Sequence, residues 1–120
     1  MTRSLVVKVT VGAEEPERCN QGFTVAATAL AAGTEVSLWL TGEATWFAVP
    51  GHAETFHLPE AAPLADLRDA LLSGGQITVC TQCAARRGLA APGLIEGVRL
   101  AGSATFVEEI TAPDVQAIVY

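Results

Sequence analysis

"LVVKVTVGAEEPERCNQGFTVAATALAAGTEVSLWL", residues 5–40, decides the fold. Its opening run, Leu5 to Val11, leaves almost no polar side, which is the pattern of a strand covered on both faces in a parallel sheet. "GAEEPER" then turns the chain. Pro16 suits a first helical position, and Glu14, Glu15 and Glu17 suit the positive end of a helix. Cys19, Phe23, Ala26, Ala27 and Leu30 recur at helical spacing, and Gly33 follows as the closing glycine. Glu35 to Leu40 reads as a second strand. Strand, helix and strand in about 35 residues make a βαβ unit.

The pattern continues outward. Glu43 to Val49 is expected to form a short helix that packs Trp46, Phe47 and Val49 inward, with Pro50-Gly51 ending it. Leu64, Leu67, Leu71 and Leu72 form a helical stripe with "SGG" behind it. Gln76 to Val79 is a third strand, followed by a short helix from Cys80 or Thr81 that Gly88 closes. Val98 to Leu100 is a fourth strand. Ser103 offers a hydroxyl cap to a helix carrying Phe106, Val107 and Ile110. Gln116 to Tyr120 closes the chain as a fifth strand. The alternation predicts an α/β three-layer sandwich around a mostly parallel five-stranded sheet. Right-handed crossovers and small size favour the flavodoxin-like order 2-1-3-4-5. No repeat or linker interrupts the 120 residues, so residues 1–120 are expected to form one domain.

Composition narrows the function. Half the residues are hydrophobic, and the charged fraction is 17% against roughly 25% in an ordinary soluble domain. A surface so poor in charge points to burial against other copies. The net charge is −6 and Lys8 is the only lysine, so the basic surface that nucleic acid or an anionic membrane requires is absent. No apolar run reaches the ~20 residues of a membrane span. Lys8 interrupts the apolar start and no small-residue cleavage site follows, which argues for a first strand rather than a signal peptide. Three cysteines, an odd number, fit the reducing cytoplasm.

In an open parallel sheet, ligands gather beyond the carboxyl ends of strands where the strand order reverses. In the expected order that point lies between the first and third strands, bringing together "GAEEPER" and "CTQCAARRG". Cys80 then stands first past the third strand, and Thr41, Gly42 and Glu43 open on the same edge. A thiolate is the reactive form of cysteine, and a helix start favours it. Cys83, three residues on, shares its face and is close enough for a disulfide or for resolving an oxidised sulfur. Candidate substrate-binding residues are Gly12, Glu14, Thr41, Gly42, Glu43, Arg86 and Arg87. The opposing reading keeps the cysteines as packing residues, since cysteine is among the most buried types.

Zinc requires four ligands. The other candidates are Cys19, which falls on the apolar stripe of the first helix, and His52 and His57, five apart in an irregular loop. No metal site is expected. GxGxxG, GxxxxGK[ST], GxSxG and HExxH are all missing, so phosphate-loop, triad and zincin chemistry lack residue support.

"LVVKVT", "EEPERC", "GTEVSLWLTGEA" and above all "VCTQCAARRGL" followed by "LIEGVRLAGSATFVEEI" resemble the DsrE/DsrF-like family of small α/β proteins in sulfur metabolism and tRNA-thiolation relays. The resemblance implies that a cysteine after this strand accepts sulfane sulfur as a persulfide and passes it on. Counting back from Arg86-Arg87-Gly88, that role falls to Cys80. It also implies a trimer or hexamer, a persulfide donor or acceptor protein as partner, and no cofactor. Cys83 departs from the single-cysteine relay pattern. The function expected is a cytoplasmic sulfur carrier or sulfurtransferase. The alternatives are a non-catalytic oligomeric small-ligand-binding module and a CxxC dithiol redox switch.

Overall fold

The computed structural model describes residues 3–120. In chain order the elements are β1 (Ser4–Val9), α1 (Pro16–Ala31), β2 (Glu35–Leu40), a 3-10 helix (Gly42–Ala48), α2 (Leu64–Gly74), β3 (Gln76–Cys80), α3 (Thr81–Arg86), a 3-10 turn (Ala91–Gly93), β4 (Arg99–Ala101), α4 (Ser103–Ile110) and β5 (Val115–Val119). The strands pair in parallel throughout the sheet. The α/β class is as expected.

The strand order corrects the expectation. It is β4-β3-β2-β1-β5, not 2-1-3-4-5. The first three crossovers therefore run in one direction and only β5 returns, to the free side of β1. The physical reason lies in β2, where Val36, Leu38, Trp39 and Leu40 are all buried. A strand apolar on both faces belongs inside a sheet, and β2 sits between β1 and β3. In β5, by contrast, Gln116 to Val119 are exposed, as an edge strand permits.

The two faces of the sheet differ because side chains alternate along each strand. Val7 and Val9, Leu38 and Leu40, and Ile77 and Val79 point to one face and pack with Cys19, Phe23 and Ala26 of α1 and Leu64 and Leu71 of α2. Burying a side chain such as Phe23 contributes about 1.5–3 kcal/mol. The opposite face carries Lys8, Ser37, Trp39, Thr78 and Arg99 under α4. There Phe106 meets Trp39 edge-on at 5.2 Å. Glu109 accepts from Ser37 Oγ at 2.7 Å and Trp39 Nε1 at 3.0 Å, and pairs with Arg99. One layer is an apolar core, and the other is a polar network under an amphipathic helix.

The helix ends follow the sequence closely. Gly33 has φ +92°, its amide bonds Leu30 O, and the Thr34 amide bonds Ala29 O, which is a Schellman closure of α1. Gly88, at φ +68°, closes α3 the same way, with Gly88 to Ala85 and Leu89 to Ala84 bonds. Two local expectations need correction. Gly102, not Ser103, is the cap residue of α4, and no side chain caps it. The 43–49 segment is a 3-10 helix that buries Phe47 but leaves Trp46 half-exposed, stacked on His52 at 5.3 Å.

Candidate functional site

The expected reversal between β1 and β3 does not exist, since β2 separates them. It falls between β1 and β5 instead. Cys80 nevertheless ends β3 at the carboxyl edge of the sheet, and the loops after β1 and β2 lie beside it. Two glycines let these loops interlock. A Cβ at Gly12 would stand 2.8 Å from the Glu43 carbonyl oxygen, and one at Gly42, which has φ +54°, would meet the Thr10 carbonyl.

The cysteine pair sits where β3 runs into α3. Cys80 is the residue before α3, with φ −63° and ψ 124°, and Cys83 is buried in its first turn. The Gly42 amide donates to Cys83 Sγ at 3.3 Å, which ties α3 to the start of the 3-10 helix. Cys80 is half-exposed. Burial pushes its thiol pKa up. The Cys83 amide, the Cys83 thiol, the Gln82 amide and the Lys8 ammonium outweigh burial and bring it below the ordinary thiol value. No group closes a formal side-chain cap on α3, so these are close electrostatic contacts rather than one capping bond. At six residues α3 is short, and the nearest amides matter more than its dipole.

Lys8 is not legible as a site residue in the sequence, because it reads as an interruption of the β1 apolar run. The register explains its reach. Lys8 pairs with Trp39 and Trp39 with Thr78, and Cys80 lies two residues beyond Thr78 on the same sheet face. The ammonium lies 4.9 Å from the centroid of the Phe106 ring. Among the described residues it pairs with no carboxylate. The signal available in the sequence is a lone lysine at a position of the same parity as the other inward residues of that face.

The arginines act elsewhere. Arg87 holds Glu43 through Nη2 at 2.6 Å and Nε at 2.9 Å, and its Nη1 donates to the Cys83 carbonyl at 3.1 Å. It therefore fastens the end of α3 to the 3-10 helix rather than reaching Cys80. Arg86 is exposed and makes no ion pair among the described residues. Thr41 is buried, and its amide and hydroxyl both go to the Val9 carbonyl, at 2.9 and 3.5 Å. Glu14 accepts from the Gly12 amide at 2.7 Å. Glu14 and Glu43 also line a cleft of about 250 Å³ with Trp46, Phe47, His52 and Phe56. Cys80 does not line it. The candidate residues thus form two neighbouring groups, the thiol pair with Gly42 and the cleft with Glu14 and Glu43.

Behind that cleft, Arg68 is 5% exposed and grips Glu54 with both terminal nitrogens, at 3.1 and 2.7 Å. The hydrogen bonds from Arg68 bring the Glu54 carboxyl down to about 2. This pair pins the His52–His57 loop to α2. Cys19 lies in the core, where burial, helped by Glu14, pushes its thiol up to about 12. No group of three or more His, Cys, Asp or Glu side chains among the described residues is arranged to hold a metal ion.

The model of the DsrE/DsrF-like family matches residues 3–115. The chain belongs to the DsrE/DsrF-like family. An uncharacterised protein of Methanocaldococcus jannaschii is 30% identical over 110 residues, which is 91% of this chain and 40% of that protein. The chain therefore spans about two fifths of the length of that relative. Among solved structures, the YchN protein of E. coli matches with a TM-score of 0.82 and 15% identity, covering 99% of this chain and 100% of that one. A protein of unknown function from Methanobacterium thermoautotrophicum matches with a TM-score of 0.74 and 10% identity, over 98% and 99% of the two chains. At these identities the structural matches speak for the DsrE fold alone. No helix among the described residues is long and apolar enough to cross a membrane.

Proposed function

We propose that this DsrE-like protein is a cytoplasmic sulfur carrier whose Cys80 takes sulfane sulfur from a persulfide donor and hands it to an acceptor thiol. The observation that carries the reading is the environment of Cys80. The thiol stands at the carboxyl edge of the sheet and is reachable from solvent. Against the effect of burial, Cys83, Gln82 and Lys8 draw it below its ordinary pKa. A thiolate is the species that attacks a persulfide, and a lower pKa raises its share at neutral pH.

The donor's outer sulfur is attacked by Cys80 Sγ. A Cys80–sulfur bond forms, the donor's sulfur–sulfur bond breaks, and the donor leaves as a thiolate. Cys83 and the Gly42 amide form the wall behind Cys80, and Gly12, Glu43 and Arg87 hold that wall in place. Family membership supports sulfur-relay chemistry. Exposed large apolar side chains, Val107 at 51%, Ile118 at 36% and Val119 at 61%, support assembly of several copies through α4 and β5.

The test is intact mass after incubation with glutathione persulfide. Cys83→Ser gains sulfur and the Cys80→Ser variant does not. Equal gain by Cys80→Ser would sink the reading. The cleft of about 250 Å³ with its stacked Trp46 and His52 favours a second reading, a small-ligand-binding module whose thiols only pack. Slow alkylation of Cys80 in the native protein would support that alternative.

A further inference from the structure

We infer that the Cys80–Cys83 pair gives this protein a second activity: it discharges its own persulfide as hydrogen sulfide and is left as an internal disulfide. The inference rests on the carrier reading above and goes beyond it, because a carrier needs one cysteine and this chain sets a second against it.

Three features point to discharge rather than storage. Cys83 follows Cys80 by three positions in the first turn of α3, so both cysteines stand at one helix start and no other cysteine shares it. Cys83 is only 9% exposed, which closes it to outside thiols and leaves Cys80 as its natural reaction partner. The Gly42 amide, 3.3 Å from Cys83 Sγ, holds that sulfur at the start of α3 until it attacks.

The step balances. Cys83 Sγ attacks Cys80 Sγ of the persulfide, and a bond forms between the two cysteine sulfurs. The bond from Cys80 Sγ to the sulfane sulfur breaks, and its electron pair leaves with that sulfur. The proton of the Cys83 thiol goes to the departing atom, which is released as hydrosulfide. The sulfane sulfur is reduced and the two cysteine sulfurs are oxidised. Residues three apart on a helix have Cβ atoms roughly 5–6 Å apart, and a disulfide brings them to about 4 Å. The first turn of α3 must therefore tighten, and Cys83 must leave the Gly42 amide. A dithiol reductant returns the pair to its starting state. The persulfide consequently has a lifetime set by Cys83, and an acceptor must capture the sulfur before the internal thiol does.

The experiment loads reduced full-length protein with glutathione persulfide, removes the donor by rapid desalting, and follows sulfide release and intact mass with time. Wild type is expected to lose the added sulfur, release about one equivalent of sulfide, and end two hydrogens lighter than the reduced protein. Peptide mapping should show a Cys80–Cys83 link. Cys83→Ser is expected to gain sulfur, keep it, and release at least tenfold less sulfide over the same interval. Wild type that keeps its sulfur as long as Cys83→Ser, or that shows the sulfur moved to Cys83 with no disulfide, would overturn the inference and leave the carrier reading standing. Failure of both proteins to gain sulfur would overturn the carrier reading and this inference with it. The disulfide map is read on wild type, so it decides the matter even if the variant folds poorly.

Discussion

The Gly42 amide donates to the Cys83 sulfur at 3.3 Å, joining loops 41 positions apart in sequence. One contact thus couples the backbone after β2 to the cysteine pair after β3. Gly42 adopts φ +54°, and a Cβ there would strike the Thr10 carbonyl. Gly42→Ala is therefore expected to cost about 1–3 kcal/mol, read as a lowered urea midpoint at unchanged slope. It should also speed native alkylation of Cys83, because the loop that covers it is displaced. Unchanged stability would mean that the turn relaxes freely and does not hold the site.

Local demands are legible in the amino-acid sequence and assembled ones are not. Gly33 and Gly88 both announce their helix closures, because a left-handed residue after a helix is a strictly local requirement. Cys80 at the end of β3 is legible for the same reason, from the β-branched run before it. The place of β2 is not, since crossover direction is fixed by which strand must be covered on both faces, a property of the whole sheet. Lys8 is hidden by its own strand. Its relation to Cys80 passes across two strand pairings, and nothing local encodes that. The Arg87–Glu43 pair is likewise invisible, because it joins two loops brought together only by Gly12 and Gly42.

Lys8→Met is expected to raise the Cys80 pKa. Removing a positive charge makes the thiolate harder to form, so the pH at half-maximal alkylation moves up. At neutral pH the rate should fall roughly two- to fivefold, on the order of what one charge contributes across a partly hydrated site. The other charged groups of that face are Arg99 and Glu109, which pair with each other, and the Glu43–Arg87 pair lies beyond α3. None of them replaces Lys8, whereas Lys8→Arg should retain most of the rate. The check is a pH–rate profile with iodoacetamide on a background lacking Cys19 and Cys83.

Cys19 behaves in the opposite sense. Burial, then Glu14, lifts its thiol to about 12, above an unfolded value of about 8.5. The neutral thiol is the folded form, so its contribution is complete below the unfolded pKa and is lost as pH rises from there through the folded pKa. Stability should decline above about pH 9 by at most ~1.4 kcal/mol per pH unit from this group. Cys19→Ala should remove that part of the slope while costing about 1 kcal/mol or more at neutral pH for the space it leaves. Urea titrations at several alkaline pH values give both numbers.

Val119 stands 61% exposed on the edge strand β5, where pairing with another copy would bury it. Val119→Lys is expected to reduce the assembled mass measured by light scattering while leaving far-UV circular dichroism unchanged. A wild-type protein that is monomeric at micromolar concentration would contradict the assembly expected here.

The most direct measurement of the central claim is site mapping of labelled sulfur on Cys83→Ser. The protein is exposed to a persulfide carrying isotopically labelled sulfane sulfur, blocked with iodoacetamide, digested, and read by tandem mass spectrometry. Label is expected on Cys80, none on Cys19, and none when Cys80 is serine. Label that is absent from Cys80, or equally abundant on buried Cys19, would contradict the claim.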